Sequence, residues 1–460
     1  MTQIEPKVDI LIIGATGYTG RLILRYLASH PNRDAFTLAI AGRSLPKLKE
    51  VAQSENAGDK TTLRQIDDIT DEVQVRSLIV DVRVVISAVG PFWRYGKALV
   101  GACAEFGVHY VDTTGEQLEN NHAYRALAEN VHYTSGETAF IKYCIDRYDF
   151  LATKTGAIII NSAGFDSVPS DLSSFLSVQT LKQALGKDTQ AGKSTSAVKM
   201  SHSSPSGGTM STIMDAISGE MPKSALDKLK DGWLLSPIKS VPIQKPRLVD
   251  HLPLTPIVGS FFLMGPGNAH LVRRSWGLHQ MEAVQNPKEY GSEAYGDEFE
   301  YHEFLEAKSW IGAFFASLML ISSLGLLFIP PIRWFARNYI LSKSGEGPSE
   351  EVLQNGWFKT TNVTLAASTS SGQPVRAAKT TIKGTGEVGY LGTSVMTSEI
   401  ALALLPTWYP RLTRMAKQGG VLTPTAALGM VLKERLENSG RFKIESGMMD
   451  TTGLADRKDR

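Results

Sequence analysis

A short apolar run that ends in a glycine-rich turn is the feature that most constrains the fold of this chain. Residues 8–13 read VDILII, and leucines and isoleucine recur at helical spacing after residue 20. Glycines between a buried strand and a helix permit a tight backbone path and bring N–H groups to a pyrophosphate. The sequence therefore predicts a dinucleotide-binding βαβ unit. The residues expected to contact the cofactor are Gly14, Thr16, Gly17, Tyr18, Thr19 and Gly20.

Further apolar runs alternate with helical patterns through the first third of the chain. They lie at 36–42, 82–90, 108–112 and 156–164. This alternation predicts an α/β fold with a Rossmann-type doubly wound parallel sheet. The pattern blurs afterwards, which favours an inserted α+β second domain. We expect a nucleotide-binding domain at 1–166, the inserted domain at 167–385 and a C-terminal helical return at 386–460.

The residues after the second predicted strand indicate which nicotinamide cofactor binds. Sites that bind NAD place an acidic residue here, to hold the ribose 2′-hydroxyl. This chain has Arg43 and Ser44 instead, with Lys47 beyond. A guanidinium offers planar, charge-assisted donors to a 2′-phosphate. The sequence therefore favours NADP(H) over NAD(H).

The loop after the strand at 82–90 is expected to pass under the cofactor, because ligands lie outside the carboxyl ends of parallel strands. Gly90 and Pro91 fix a close approach there. Phe92, Trp93 and Tyr95 follow, and two interpretations stay open for these rings. They wall the nicotinamide or an apolar substrate, or they pack the edge of the sheet.

Composition excludes several classes of protein. The 48 basic and 46 acidic residues leave a net charge of +2 with no basic run, so no nucleic-acid partner is expected. Two cysteines form no disulfide framework, and the nine histidines show no metal-ligand spacing, so no metal is expected. Glu5 and Asp9 argue against a secretory signal.

One segment, at 310–329, contains twenty residues and no charge. Its length matches a membrane span, and Pro330, Pro331, Trp334 and two arginines follow it. Three interpretations stay open: a transmembrane helix, an anchor dipping into one leaflet, and a buried helix. Association with a membrane or lipid droplet is favoured.

Ten motifs, taken together, carry a resemblance to a known family. They are GATGYTG, AGRSLPKL, SAVGPFWRYG, HYVDTTGE, AGFDSVPSDL, SGGTMS (206–211), LVRRS (271–275), SGEGPSEE (344–351), GTGEVGY (384–390) and GGVLTPTAALG (419–429). In this order they resemble the saccharopine dehydrogenase-like oxidoreductases, in particular the trans-acting enoyl reductase branch. The resemblance implies a Rossmann domain with a second domain inserted in it. It also implies roles in lipid metabolism, including glycolipid biosynthesis, at membranes or lipid droplets.

The resemblance also implies roles for individual residues. Gly14, Gly17 and Gly20 would hold the pyrophosphate and Arg43 the ribose phosphate, with Ser87, Gly90 and Pro91 on the nicotinamide side. The residues implied to border the site are Asp112, Thr114, Gly115, Glu116, Gly164, Phe165, Asp166, Ser167, Pro169, Ser170 and Asp171. Ser170 or Asp171 is also a candidate helix N-cap. Residues 117–137 depart from the family pattern, which leaves Gly115-Glu116 and Gly136-Glu137 as competing pairs; we favour the first.

No catalytic acid stands out, and Tyr95, Asp166 and His202 are the candidates. We expect an NADP(H)-dependent oxidoreductase, most simply an enoyl reductase, acting on a hydrophobic, lipid-linked or acyl substrate. We place it at the cytoplasmic face of a membrane or lipid droplet, and the sequence allows a homodimer. The alternatives are an imine or carbonyl reductase and a non-catalytic, nucleotide-binding scaffold. An amino-acid substrate would need carboxylate-binding arginines, and the adjacent Arg273 and Arg274 read equally well as a surface turn.

Overall fold

A computed structural model describes residues 7–114, 136–165, 167–201, 232–243, 247–290, 293–327, 329–335, 347–367 and 375–450. Within these residues the strands form two seven-stranded sheets. In chain order the strands are β1 Val8–Ile13, β2 Leu38–Gly42, β3 Thr61–Gln65, β4 Val82–Ser87, β5 His109–Asp112, β6 Ile158–Ile160, β7 Ala191–Met200, β8 Val249–His251, β9 Val258–Phe261, β10 Glu300–Ala307, β11 Trp357–Ala366, β12 Ala377–Thr385, β13 Gly420–Leu422 and β14 Phe442–Met448.

Helices separate most of these strands. In chain order they are α1 Tyr18–Ala28, α2 Leu45–Ser54, α3 Glu72–Ile79, α4 Phe92–Phe106, α5 Gly136–Thr155, α6 Ser167–Leu185, α7 Gly265–Gln285, α8 Pro287–Tyr290, α9 Trp310–Leu326, α10 Pro330–Phe335, α11 Glu350–Asn355, α12 Thr393–Ala403, α13 Arg414–Gln418, α14 Pro424–Leu428 and α15 Met430–Asn438.

The first sheet is parallel throughout, in the order β13-β6-β5-β4-β1-β2-β3. The chain reverses its direction of strand addition between β1 and β4, as in a doubly wound sheet. The Rossmann-type fold expected from the strand–helix alternation is therefore confirmed.

Alternate residues of the first sheet face two separate cores. Ile12 and Ile86 pack on one face, in a core shared with α1, α6 and α12, while Leu11 and Val85 pack on the other, with α3, α4 and α5. Successive side chains of a strand point to opposite faces, so a strand buried on both must be apolar throughout. This explains the unbroken apolar runs.

The second sheet is mixed, in the order β14-β12-β11-β7-β10-β9-β8. Only β10 and β7 run parallel among its pairs of described strands. The C-terminal segment predicted as a helical return also contributes strands: β13 completes the first sheet, and β14 joins the second. The first sheet therefore draws strands from both ends of the described chain, whereas the second takes its strands from residue 191 onward.

Candidate functional site

The strand register brings the predicted site segments to one edge of the first sheet. Ile13 is paired with both Ala41 and Ser87, and Ser87 is paired with Asp112. The segments that follow β1, β2, β4 and β5 therefore leave the sheet side by side. This is the carboxyl edge, where α/β proteins of this topology bind ligands.

The three glycines of the first loop serve different purposes. Gly14 has φ +91°, and a Cβ there would lie 2.8 Å from the Ala88 carbonyl oxygen. A Cβ on Gly20 would lie 2.1 Å from the Gly14 carbonyl oxygen. Gly17 is the N-cap of α1, and no side chain of the described residues is recorded as capping that helix. The first N–H groups of α1 therefore remain available to a phosphate, so the loop fits a dinucleotide pyrophosphate.

The other residues of this loop lie differently. Thr16 is exposed and Thr19 is half-buried. The Tyr18 side chain turns away from the loop, and its hydroxyl donates to the Pro348 carbonyl oxygen at 2.5 Å. Its ring also meets that of Tyr390 edge to face, with the centroids 5.0 Å apart. The Tyr18 side chain is therefore engaged within the fold, and its contact with the cofactor stays a prediction.

The end of β2 presents two cations. The side chains of Arg43 and Lys47 are exposed, and neither makes a hydrogen bond or ion pair with any described residue. The Ser44 hydroxyl accepts from the Lys47 N–H at 3.5 Å and caps α2. Two unpaired cations at this position suit a 2′-phosphate.

The loop after β4 crosses close to the glycine loop. The Ala88 N–H donates to the Ile13 carbonyl oxygen at 2.9 Å, and Ser87 is buried. The Gly90–Pro91 peptide is cis. This path places the loop at the carboxyl edge of the sheet, beside the β1–β4 reversal; its passage under the cofactor stays a prediction.

The aromatic residues of α4 have separate surroundings. Phe92 is buried and stacks on Phe140 of α5, so the packing interpretation is correct for this ring. The Lys97 ammonium lies over the Trp93 ring, 3.7 Å from the ring centroid. Tyr95 is half-buried, and the guanidinium of Arg94 lies 5.1 Å from its ring centroid. Among the candidate proton donors, Tyr95 is the one that lies within the described residues.

Asp112 is fully buried and joins the ends of β5 and β6. Its carboxylate accepts from the Thr114 N–H at 2.9 Å and the Thr114 hydroxyl at 2.5 Å. It also accepts from Asn161 at 2.7 Å and the Ser162 N–H at 3.0 Å. Burial raises the pKa of Asp112, and these hydrogen bonds oppose the rise. The Asp112 side chain therefore fixes the positions of the backbone segments that follow β5 and β6.

The segment after β6 corrects one prediction. Helix α6 already begins at Ser167, so Ser170 and Asp171 lie inside it and neither is its N-cap. Buried Asp171 instead accepts from the Ser275 hydroxyl at 2.5 Å and from the Thr425 N–H at 3.0 Å. It therefore caps α14, a helix of the distant C-terminal segment.

Several predicted residues lie outside the described part of the chain. They are Gly115, Glu116, Asp166 and His202, together with the insertion up to residue 135. Gly136 begins α5, and the surroundings of the Glu137 side chain lie outside the described part of the chain. The choice between the two Gly-Glu pairs stays a prediction.

A buried carboxylate that the sequence did not indicate lies where β10 meets α6 and α7. Glu303 on β10 accepts from Ser170 at 2.6 Å, Tyr301 at 2.5 Å and Asn268 at 2.8 Å. Burial raises its pKa, against the effect of these donors. Its partner Ser170 is 133 residues away in the chain, so no local pattern indicates the contact.

The arginine pair is not a surface turn, and that interpretation was wrong. Arg273 and Arg274 are buried in α7. Arg273 donates to the carbonyl oxygens of Gly232 and Tyr301, and Arg274 to those of Leu235 and Val421. Burial lowers the pKa of each guanidinium to about 10. Both are occupied by backbone acceptors.

The uncharged segment forms α9, which is largely exposed. Of its residues only Ala313 and Ser317 are buried, whereas the side chains of Ile311 and Met319 are 71% and 70% exposed. The interpretation as a buried helix was wrong. Throughout the described ranges, every helix is too short or too polar to cross a membrane. Nor do the described residues bring three His, Cys, Asp or Glu side chains together as a metal site.

Comparisons with known proteins agree with this geometry. Residues 10–139 match the family model of the saccharopine dehydrogenase NADP binding domain. A Mycobacterium tuberculosis protein named for trans-acting enoyl reduction is 30% identical over 96% of this chain and 98% of its own. The trans-acting enoyl reductase of Mycobacterium bovis is 29% identical with the same coverage.

A more distant similarity joins this chain to a solved structure. The apo saccharopine dehydrogenase (L-Glu forming) of Saccharomyces cerevisiae covers 96% of this chain and 100% of its own, at 12% identity and a TM-score of 0.47.

The parallel sheet, the uncapped glycine loop and the cations after β2 define an NADP-binding oxidoreductase. The chain belongs to the saccharopine dehydrogenase-like family, in the branch that contains the proteins named trans-acting enoyl reductases. NADP(H), favoured from Arg43 and Ser44, is the cofactor that the family model supports.

Proposed function

We propose that this protein is an NADP(H)-dependent enoyl reductase that acts on a hydrophobic acyl substrate. The proposal is carried by Arg43 and Lys47, whose side chains pair with no described residue, and by the start of α1, in a chain with full-length relatives of that name. Bound NADPH supplies a hydride for the β-carbon of a conjugated double bond. A proton must then reach the α-carbon.

The residues of the chain bind and orient the reactants. Backbone N–H groups from residue 18 onward hold the pyrophosphate, and Arg43 holds the 2′-phosphate. The loop at 87–91 sets the nicotinamide side. Tyr95 in α4 is the candidate proton donor within the described residues, and the other two candidates, Asp166 and His202, lie outside them.

The occupied arginines favour an enoyl over an amino-acid substrate. Reduction of an imine that carries an amino acid requires cations free to bind its carboxylates. Arg273 and Arg274 instead donate to backbone carbonyls inside the fold. An apolar acyl substrate makes no such demand.

Turnover with an α,β-unsaturated, long-chain acyl thioester tests the activity. We expect loss of nicotinamide absorbance matched by formation of the saturated thioester, detected by mass spectrometry. The saturated thioester alone serves as the control, and Arg43→Glu should lose activity at low NADPH concentration. NADPH binding without oxidation by enoyl, imine or carbonyl substrates would leave the non-catalytic scaffold.

We also propose that α9 lies in the acyl region of one membrane leaflet or lipid-droplet surface, on its cytoplasmic side. Its 17 residues measure about 26 Å, less than the roughly 30 Å of a hydrocarbon core. Small residues attach the helix to the second sheet: the Ser317 hydroxyl accepts from the Phe261 N–H and donates to the Leu248 carbonyl oxygen. The large residues Ile311, Phe315 and Met319 point outward, as in an interfacial helix.

Flotation with phospholipid vesicles and with phospholipid-coated oil droplets tests this placement. The wild type should float with at least one of them, and the variant Phe315→Glu with Met319→Glu should not. Val284→Glu is the control for an added surface charge, because Val284 lies in α7, outside α9, and is 80% exposed. If the wild type fails to float and the double variant converts a dimer to a monomer in sedimentation, a second copy covers α9 instead.

A further inference from the structure

The helix that carries the candidate pyrophosphate site is contacted by a distant part of the chain. Residues 347–353 lie along the outer face of α1. The Tyr18 hydroxyl donates to the Pro348 carbonyl oxygen at 2.5 Å, and Arg25 donates to Glu350 at 3.0 Å. The first of these contacts joins residues that are 330 positions apart.

A second segment, residues 387–391, completes this contact. Leu353, Leu391 and Leu22 of α1 form a small buried cluster, and Tyr18 and Tyr390 pack against it. The Glu387 N–H donates to the Leu353 carbonyl oxygen at 2.7 Å, which joins the two segments. We call residues 347–353 and 387–391 together the strap.

The strap packs closely against the Tyr18 side chain. A Cβ on Gly347 would lie 2.3 Å from the Tyr18 ring, so only glycine fits there without displacement. Glu387 fixes the other wall, because its carboxylate accepts from the N–H groups of Gly389 and Tyr390 at 2.7 Å each. The Tyr18 ring is therefore held on two sides by segments that are themselves tied down.

Tyr18 is also the first residue of α1. It follows the N-cap Gly17, which has no side chain to bond the first N–H groups of the helix. Donors at a helix N-terminus bind a phosphate best when their directions are fixed beforehand, because binding then costs less ordering. We propose that the strap is a positioning device for the dinucleotide: Tyr18 and Gly347 set the affinity for the pyrophosphate without side-chain contact to it. This proposal rests on the NADP(H) part of the proposed function and on no acyl substrate.

Two ligands separate positioning from general damage. NADPH needs the start of α1, whereas adenosine 2′-monophosphate carries only the phosphate expected at Arg43. We expect Tyr18→Phe and Gly347→Ala each to weaken NADPH binding by about 3- to 10-fold, the loss of one hydrogen bond or of its geometry. The change should lie in faster NADPH dissociation, and the affinity for adenosine 2′-monophosphate should stay unchanged.

Matched variants complete the experiment. Gly447→Ala is the glycine control, since a Cβ there meets no atom of the described residues within 4 Å, and Tyr409→Phe is the tyrosine control. Arg43→Glu should weaken both ligands. The double variant Tyr18→Phe with Gly347→Ala should lose less NADPH affinity than the sum of the losses in the two single variants, because both substitutions act through one contact.

Three results would overturn the proposal. NADPH affinity within about twofold of wild type in both single variants would show that the contact does not position the site. An equal loss for both ligands, or a lowered melting temperature that accounts for the loss in Tyr18→Phe, would indicate general destabilisation. Failure of the wild type to bind NADPH would instead contradict the cofactor assignment, and with it the strap proposal.

Discussion

Asp112 and Asn161 form a pair of buried side chains that have alternative hydrogen-bonding arrangements. Asn161 donates its amide to Asp112, and its own carbonyl oxygen is buried without a partner among the described residues. An amide in place of Asp112 can therefore still be satisfied, if Asn161 rotates to present that oxygen. The aspartate itself carries a cost, since burial raises its pKa.

We therefore predict that Asp112→Asn is tolerated and Asp112→Ala is not. The asparagine should change the free energy of unfolding by less than about 1 kcal/mol, whereas the alanine leaves buried donors unpaired and should cost about 2–4 kcal/mol. Urea denaturation of both variants at neutral pH measures this. A large loss in Asp112→Asn would mean that the charge itself is required.

Arg43 gives a second prediction at the scale of one side chain. Replacement by glutamate should weaken NADPH binding by at least about tenfold, because a charge-assisted contact to a 2′-phosphate becomes a repulsion. NADH lacks that phosphate, so its affinity should hold or improve. Fluorescence titration with both nucleotides measures the change. Parallel losses for NADH and NADPH would show that Arg43 acts elsewhere.

Helix α1 is held on a further side by the element α12. Glu399 of α12 is buried, bonds to the Tyr26 hydroxyl and to Arg435, and lies 3.3 Å from His30. Burial raises the pKa of this carboxyl, but the His30 hydrogen bond and the charge of Arg435 outweigh it, so the net shift is downward. Ionised Glu399 therefore stabilises the contact between the two helices.

The sign of this shift sets a dependence on pH. A carboxyl with a lowered folded-state pKa contributes stability above its ordinary value of 4.5 and loses it as the pH falls through the folded pKa. We predict that Glu399→Gln reduces stability at neutral pH by about 1–3 kcal/mol and has a shallower acid limb below pH 4.5 than wild type. Chemical denaturation across a pH series checks this. Parallel acid limbs would mean that other carboxyls dominate.

The features that the sequence predicted correctly are those set by residues close together in the chain. The run at 8–13, the glycines and Arg43 lie within one βαβ unit, so period and spacing indicate both the fold and the cofactor site. The partners of Tyr18 and Ser170 come from segments 330 and 133 residues away, and no local pattern encodes them. Arg274 was misread for the same reason: an arginine reads as solvated until its distant carbonyl acceptors are known.

The order of strands along the chain ties the two sheets into one molecule. The first sheet takes β1 to β6 and then β13, and the second takes β7 to β12 and then β14. Arg274 strengthens the link, because it lies in α7 and donates both to the Leu235 carbonyl oxygen and to that of Val421 in β13. The seventh strand of the first sheet is thus bonded to a helix of the inserted region.

This arrangement predicts that the two sheets unfold together. Arg274→Met leaves two buried carbonyls without their donor and should cost about 2–4 kcal/mol. Arg83→Met is the control, since it removes a partly exposed ion pair with Asp9 within the first sheet and should cost less than about 1 kcal/mol. Scanning calorimetry should give one transition for each protein, lowered as a whole in Arg274→Met. Two transitions, with only one of them lowered, would mean that the sheets are independent and that the shared strands do not couple them.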